Sequence, residues 1–138
     1  MITQEFYLAN TAYHEARGEP ADGIVAVCHV ILNRVLNRGL TVKQVVYQSK
    51  QFECYSQRKQ PIIKDYDSFI KCQYAVKRTR DERLKGFNFY GATIFMNVPV
   101  VIERYGHLPG WLTRGLDSGK VQRVAIIKDH TFYKESPR

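Results

Sequence analysis

The chain has 138 residues, enough for one domain around a single core, and its 44% hydrophobic and 12% aromatic content excludes a disordered polypeptide. A formal net charge of +8 favours anionic partners (nucleic acid, anionic lipid or an anionic cell-wall polymer) without choosing among them, and a merely soluble basic surface stays open. The apolar run Ile24 to Cys28 is too short to span a membrane, Met1 to Glu5 lack an export-signal pattern, and three scattered cysteines exclude a disulfide framework.

Residues 3–17 read as a first helix, capped by Thr3, with Phe6, Ala9, Tyr13 and Ala16 near one face. Gly18 is a stop signal, and Pro20 suits the first turn of the next helix. From Pro20 to about Arg38 the residues Ile24, Val27, Cys28, Ile31, Leu32 and Val35 form a broad apolar stripe, widened by Ala26 and Val30. This is expected to be the central buried helix, ended by Gly39. Thr41 and Gln44 match a capping box for a short helix to about Gln48.

Residues 49–64 look irregular, with Gln51 to Tyr55 a candidate short extended piece. A third long helix is expected from Asp65 or Asp67 to about Leu84, turning Phe69, Cys72, Ala75 and Val76 inward. Its charged run from Lys77 to Arg83 reads as a solvated face. After Gly86 the texture becomes aromatic and β-branched. Phe87 to Ile102 suggests one or two strands around Thr93 to Met96, Gly106 to Trp111 a loop, and Leu112 to Lys120 at most one helical turn. Val121–Ile127 and His130–Tyr133 read as a hairpin across Lys128 and Asp129. The expected fold is therefore α+β, a helical N-terminal half followed by a small antiparallel sheet, with residues 1–138 forming one domain.

The stretch from His14 to Pro20 holds the most suggestive chemistry. His14-Glu15 begins like a HExxH zinc motif, but Gly18 stands where the second histidine belongs, and the chain has four histidines in all. No metal or cofactor is expected. Glu15 and Glu19 would place their Cβ atoms ~5–6 Å apart if the helix continued. Gly18-Glu19-Pro20 interrupts it, so spacing does not choose between retaining and inverting geometry. Glycoside cleavage needs a carboxylic acid that can protonate the leaving oxygen, and Glu15, at a helix end beside aromatic groups, suits that role. A surface glutamate paired with Arg17 or Arg34 is the plainer reading, and spacing alone favours it. Arg17 can hold an anionic sugar substituent or fix Glu19. Tyr90, Trp111, Phe132 and Tyr133 offer faces for sugar rings, although single aromatics in strands and loops more often pack in a core. His130 can orient a carboxylate or substrate, and Asn97 can bind a sugar amide or finish a turn.

Taken together, Ala9 to Val35 resembles the opening motif of the SleB-type, spore-cortex-lytic cell-wall hydrolases. The family pattern is a Gly-Glu-Ala-Arg-Gly-Glu core, then Gly-x-Val-Ala-Val, then Leu-Asn-Arg-Val, which this chain matches from Glu15 onward. Val45-Val46-Tyr47 with Gln51 to Tyr55, Gly91-Ala92-Thr93 with Asn97, Pro109-Gly110-Trp111 and His130 to Tyr133 are similar to later family segments, in family order. The resemblance implies a lysozyme-like fold of the lytic-transglycosylase type, with peptidoglycan as substrate. It implies cleavage between N-acetylmuramic acid and N-acetylglucosamine, by lytic transglycosylation or as a muramidase. Glu15 takes the place of the catalytic general acid/base. Glu19, Arg17, His14, Tyr90, Asn97, Trp111, His130 and Tyr133 fall among supporting or substrate-binding positions. Two departures stand out: His14 replaces the usual glycine, and Ile94-Phe95-Met96 replaces a His- and Tyr-rich run. Missing export and wall-binding segments suggest a monomer made in the cytoplasm that reaches the wall as a phage lysin or virion component. It is expected neither to insert into a membrane nor to bind nucleic acid. The competing expectation is a non-catalytic basic module that binds cell-wall polymer or nucleic acid.

Overall fold

The computed structural model describes residues 3–16, 18–48 and 63–136. Arg17, Cys54 and the extended piece expected at Gln51–Tyr55 lie outside the described residues. Helix α1 spans Gln4–Ala16. Thr3 caps it, its hydroxyl accepting the Phe6 N–H at 3.1 Å. Every residue from Tyr7 to Tyr13 is buried, so the expected single face becomes the whole circumference. Thr11 tolerates this because its hydroxyl donates to the Tyr7 carbonyl at 2.7 Å.

Helix α2, Ala21–Arg38, is the centre of the fold. Its residues Ile24, Ala26, Val27, Cys28, His29, Val30 and Ile31 are wholly inaccessible to solvent. Each large apolar side chain buried there contributes ~1.5–3 kcal/mol. Pro20 stands at the cap position, one residue earlier than expected, and Gly39 ends the helix at φ 63° while its N–H bonds the Val35 carbonyl. Helix α3, Val42–Tyr47, starts on the expected capping box: Thr41 Oγ1 accepts the Gln44 N–H at 3.1 Å, and Gln44 Oε1 accepts the Thr41 N–H at 2.8 Å. Helix α4, Tyr66–Leu84, is capped by Asp65 and buries Phe69, Cys72, Ala75 and Val76 as expected. Helices α1, α2 and α4 pack on one another.

The C-terminal half departs more from expectation. A 3₁₀ turn at Phe89–Gly91 leads into strand β1, Ile94–Asn97. The β-branched residues that follow form helix α5, Val98–Tyr105, rather than a strand. Asn97 starts that helix by accepting the Val100 N–H at 3.2 Å, and Pro99 in its first turn removes a donor that a strand would need. Helix α6, Gly110–Ser118, is longer than the single turn expected and takes in Trp111. Strands β2, Val121–Ile127, and β3, His130–Glu135, form the expected hairpin. All pairing is antiparallel in the order β1-β3-β2, with a register shift between Arg123 and Ala125.

Strand β3 is buried on both faces, which explains why His130 to Tyr133 are all inaccessible. Alternation sends Phe132 to the helical core, where it joins α1, α2 and α4 with Phe95 packed alongside. Tyr133 points to the opposite face, into a smaller cluster with Leu112 of α6, Val121, Ile94 and Met96. The sheet is thus a middle layer, with α2 on one side and α6 on the other.

Candidate active site

Four structural devices surround the end of α1. The chain reverses through a tight turn in which the Glu19 N–H bonds the Ala16 carbonyl at 2.9 Å. Gly23 in the first turn of α2 then lets this turn approach the sheet: a methyl group there would stand 3.2 Å from Glu19 Cβ and 3.4 Å from Ile127 Cγ2. Third, the β2–β3 hairpin reaches back, with Lys128 Nζ donating to the Gly18 carbonyl at 3.3 Å. From α4, Lys71 Nζ donates to the Glu19 carbonyl at 3.3 Å.

These devices separate the two carboxylates. Glu15, on the last turn of α1, is half-buried and keeps a route to solvent. Glu19 is only 7% exposed and turns inward to His130, which is 6% exposed. Glu19 Oε1 and His130 Nδ1 are 3.3 Å apart, an ion-pair distance at which the two groups are not aligned for a hydrogen bond. Glu19 Oε2 and His130 Nδ1 therefore lack a hydrogen-bond partner among the described residues, at a cost of ~1–3 kcal/mol for each buried group. Burial pushes His130 below its ordinary pKa, against the opposing pull of Glu19 and Asp129. Asn97 is the register partner of His130 and lies on the same sheet face, so the structure brings Glu19, His130 and Asn97 to one end of the sheet.

The other expected site residues lie elsewhere. His14 packs edge-on against the Tyr13 ring, with centroids 4.8 Å apart, and the Tyr13 hydroxyl accepts the Lys64 and Asp65 N–H groups. Tyr133 sits 3% exposed on the α6 face of the sheet, turned away from Glu19 and His130 by strand alternation. Trp111 is half exposed on α6. Tyr90 is 58% exposed, before the other end of β1, and occupies the left-handed region at φ 59° beside Phe89 at φ 51°. Such backbone strain at a non-glycine pair is costly and presents the Tyr90 ring outward. The described residues contain no group of His, Cys, Asp and Glu able to hold a metal ion.

Two residues of the Leu-Asn-Arg-Val segment have a physical role that spacing did not reveal. Asn33 Nδ2 donates to the Asn88 and Ala92 carbonyls at 3.0 and 2.8 Å, and Arg34 Nε donates to the Thr93 carbonyl at 2.6 Å. Helix α2 thereby holds the entry to β1. Burial and the Arg38 charge pull the Arg34 guanidinium down to about 10, while Glu135 and Glu15 pull it back up, so Arg34 stays a cation within the field of Glu15. Beside Asn33, His29 is fully enclosed. Arg83 Nη1 lies 3.2 Å from His29 Nδ1, and a guanidinium can only donate, so Nδ1 accepts and Nε2–H donates to Glu82 Oε1 at 2.9 Å. The charged run on α4 is thus not a purely solvated face.

A model of the family described as cell wall hydrolase matches residues 18–133. The chain belongs to that family. The match begins just after Glu15 and includes Glu19, Asn97 and His130. Among curated relatives of this cell wall hydrolase, the spore cortex-lytic enzyme of Oceanobacillus iheyensis is 52% identical over 48 residues, 33% of this chain. That stretch is 17% of the relative's length, so the chain matches a small part of it. Among solved structures, the catalytic domain of the germination-specific lytic transglycosylase SleB from Bacillus anthracis has a TM-score of 0.69 at 24% identity, covering 95% of this chain and 93% of that one. The catalytic domain of the Bacillus cereus SleB protein has a TM-score of 0.67 at 24% identity, covering 97% and 93%. The lysozyme-like SleB fold is therefore shared across nearly the whole chain.

Proposed function

We propose that this cell wall hydrolase cleaves peptidoglycan glycan strands between N-acetylmuramic acid and N-acetylglucosamine as a lytic transglycosylase, with Glu15 as its general acid and base. One observation carries the reading: of the two carboxylates flanking the turn, Glu19 is buried against His130, whereas Glu15 remains accessible. A mechanism resting on a single carboxylate then follows. Glu15 gives its proton to the glycosidic oxygen as the bond to the muramic acid C1 breaks. The C6 hydroxyl of the same muramic acid attacks C1 and returns its proton to Glu15, leaving a 1,6-anhydro end and a restored acid. A hydrolase would instead need a second carboxylate placed to activate water or attack C1. Arg17, His14, Asn97, Tyr90 and Trp111 are proposed to bind or orient the strand, and residues 1–138 to act as one catalytic domain, working as a monomer.

Mass spectrometry of peptidoglycan digested with the purified protein tests this directly. Anhydro-muramic ends are expected, while reducing ends would indicate a muramidase. Intact strands with salt-sensitive retention would indicate a polymer-binding module. Glu15→Gln is expected to lower product release by ~10²–10⁴-fold with an unchanged thermal midpoint. Full activity in that variant would remove Glu15 from the role.

A further inference from the structure

We propose that Glu19 and His130 act as a pair of positioning residues that clamp the turn after Glu15 onto the C-terminal hairpin. The inference rests on the reading of Glu15 as the acid. Four independent features converge on this turn. Glu19 and His130 face each other at 3.3 Å, both more than nine-tenths buried, each with a polar atom left unpaired among the described residues. Lys128 holds the Gly18 carbonyl from the hairpin, and Lys71 holds the Glu19 carbonyl from α4. Gly23 brings α2 within contact of both Glu19 and Ile127. Finally, Lys128 sits at φ 51°, a conformation L-residues rarely adopt, so the hairpin tip accepts strain in the same place where it reaches the turn.

The arrangement ties together two parts of the molecule that sequence keeps far apart. Glu15 is carried by the helical half, while His130 belongs to the middle strand of the sheet. A carboxylate that must meet a glycosidic oxygen tolerates little error, since a misplacement of ~1 Å costs on the order of 10²-fold in rate. The Glu19–His130 contact fixes the turn immediately after the acid against the sheet, which bears on kcat rather than on strand binding. It also explains why a buried carboxylate is retained where an apolar side chain would pack at lower cost.

Two measurements on the full chain test the clamp. In the first, muropeptide release from purified sacculi is followed for Glu19→Ala, His130→Ala, their double variant, Glu19→Gln and Lys128→Ala. Each alanine variant at Glu19 or His130 is expected to lose ~10–100-fold in kcat with KM changed less than ~3-fold. The double variant is expected to be no worse than the poorer single one. Glu19→Gln, which keeps the size of the side chain and an oxygen beside His130, is expected to recover at least roughly a third of the rate, and the exposed Lys128→Ala to lose a few-fold without unfolding. If Glu19→Gln is as inactive as Glu15→Gln, Glu19 is itself a reacting carboxylate and the clamp is wrong; multiplying losses in the double variant have the same force. The second measurement is amide hydrogen exchange at the Glu19 N–H, which needs no activity. Faster exchange in both alanine variants, with the rest of the chain unchanged, supports the clamp even if the wild-type protein cleaves nothing and the transglycosylase reading falls. Unchanged exchange overturns it whatever the activity.

Discussion

Gly115 lies so close to β2 that an added methyl group would stand 2.6 Å from Val121 Cγ2 and 3.1 Å from Val121 Cβ. Rotating the valine side chain relieves only the first of these. Gly115→Ala should therefore push α6 off the sheet, costing ~1–3 kcal/mol. Calorimetry should record a thermal midpoint lower by roughly 5–10 °C. Asn33 makes a different kind of contribution. Its amide satisfies two carbonyls at the entry to β1 and its oxygen accepts from Arg83 Nη1 at 3.0 Å. Asn33→Leu keeps the volume but strands those groups, and urea titration should show a loss of ~2–4 kcal/mol. Neither effect was legible from residue type. A glycine in a helix looks permissive until the neighbouring strand is known, and an asparagine on an apolar helix reads as a flaw in the stripe. Glu19 belongs with them: its spacing from Glu15 was visible, while its burial depended on where β3 would pass.

At the level of elements, the helical half was legible because its signals are local. The capping box at Thr41–Gln44, the cap at Thr3, the stop at Gly39 and the stripe along α2 each need only neighbouring residues. Helix α5 stands where a strand is expected because Val98, Val100, Val101 and Ile102 have strand propensity, whereas the Asn97 cap and Pro99 decide the outcome. Helix α6 is longer than its sequence suggests because two glycines dilute a pattern that packing on β2 rescues. The hairpin tip offers a test at this scale. Lys128 at φ 51° pays a conformational cost that glycine avoids, and its ammonium group holds Gly18. Lys128→Gly is expected to change stability by less than ~1 kcal/mol, the relief of strain being offset by glycine's greater entropy in the unfolded chain. It is nevertheless expected to lower muropeptide release as Lys128→Ala does. A Lys128→Gly protein with wild-type rate would show that the contact to Gly18 has no bearing on catalysis.

For the molecule as a whole, buried histidines set the response to acid. Burial pushes both His29 and His130 below the ordinary value of 6.5. The Arg83 charge adds to this effect at His29, while hydrogen bonding to Glu82 opposes it. The unfolded chain therefore takes up protons first as pH falls through 6.5, and binds more of them than the folded state. Stability should be full above that value and decline below it. A thermal midpoint that stays flat between pH 7.5 and pH 5.5 would contradict this account. The family could be read from the order of short motifs along the chain, because such motifs mark where helices stop, cross and hold strands. The sheet's two-sided burial could not, since it depends on α6 closing over a face that the strand sequences alone leave unassigned.

The strand order β1-β3-β2 also bears on how the molecule is made. The middle strand is the last of the three along the chain, so neither β1 nor β2 has its sheet partner until residues 130–135 have left the ribosome. Helices α1, α2 and α4 can assemble earlier from contacts within the first 84 residues. Because His130 opens that third strand, the glutamate-bearing turn meets its sheet only after the hairpin has emerged. A nascent chain of this shape would display Glu15, the proposed acid, long before the sheet was there to hold the turn beside it.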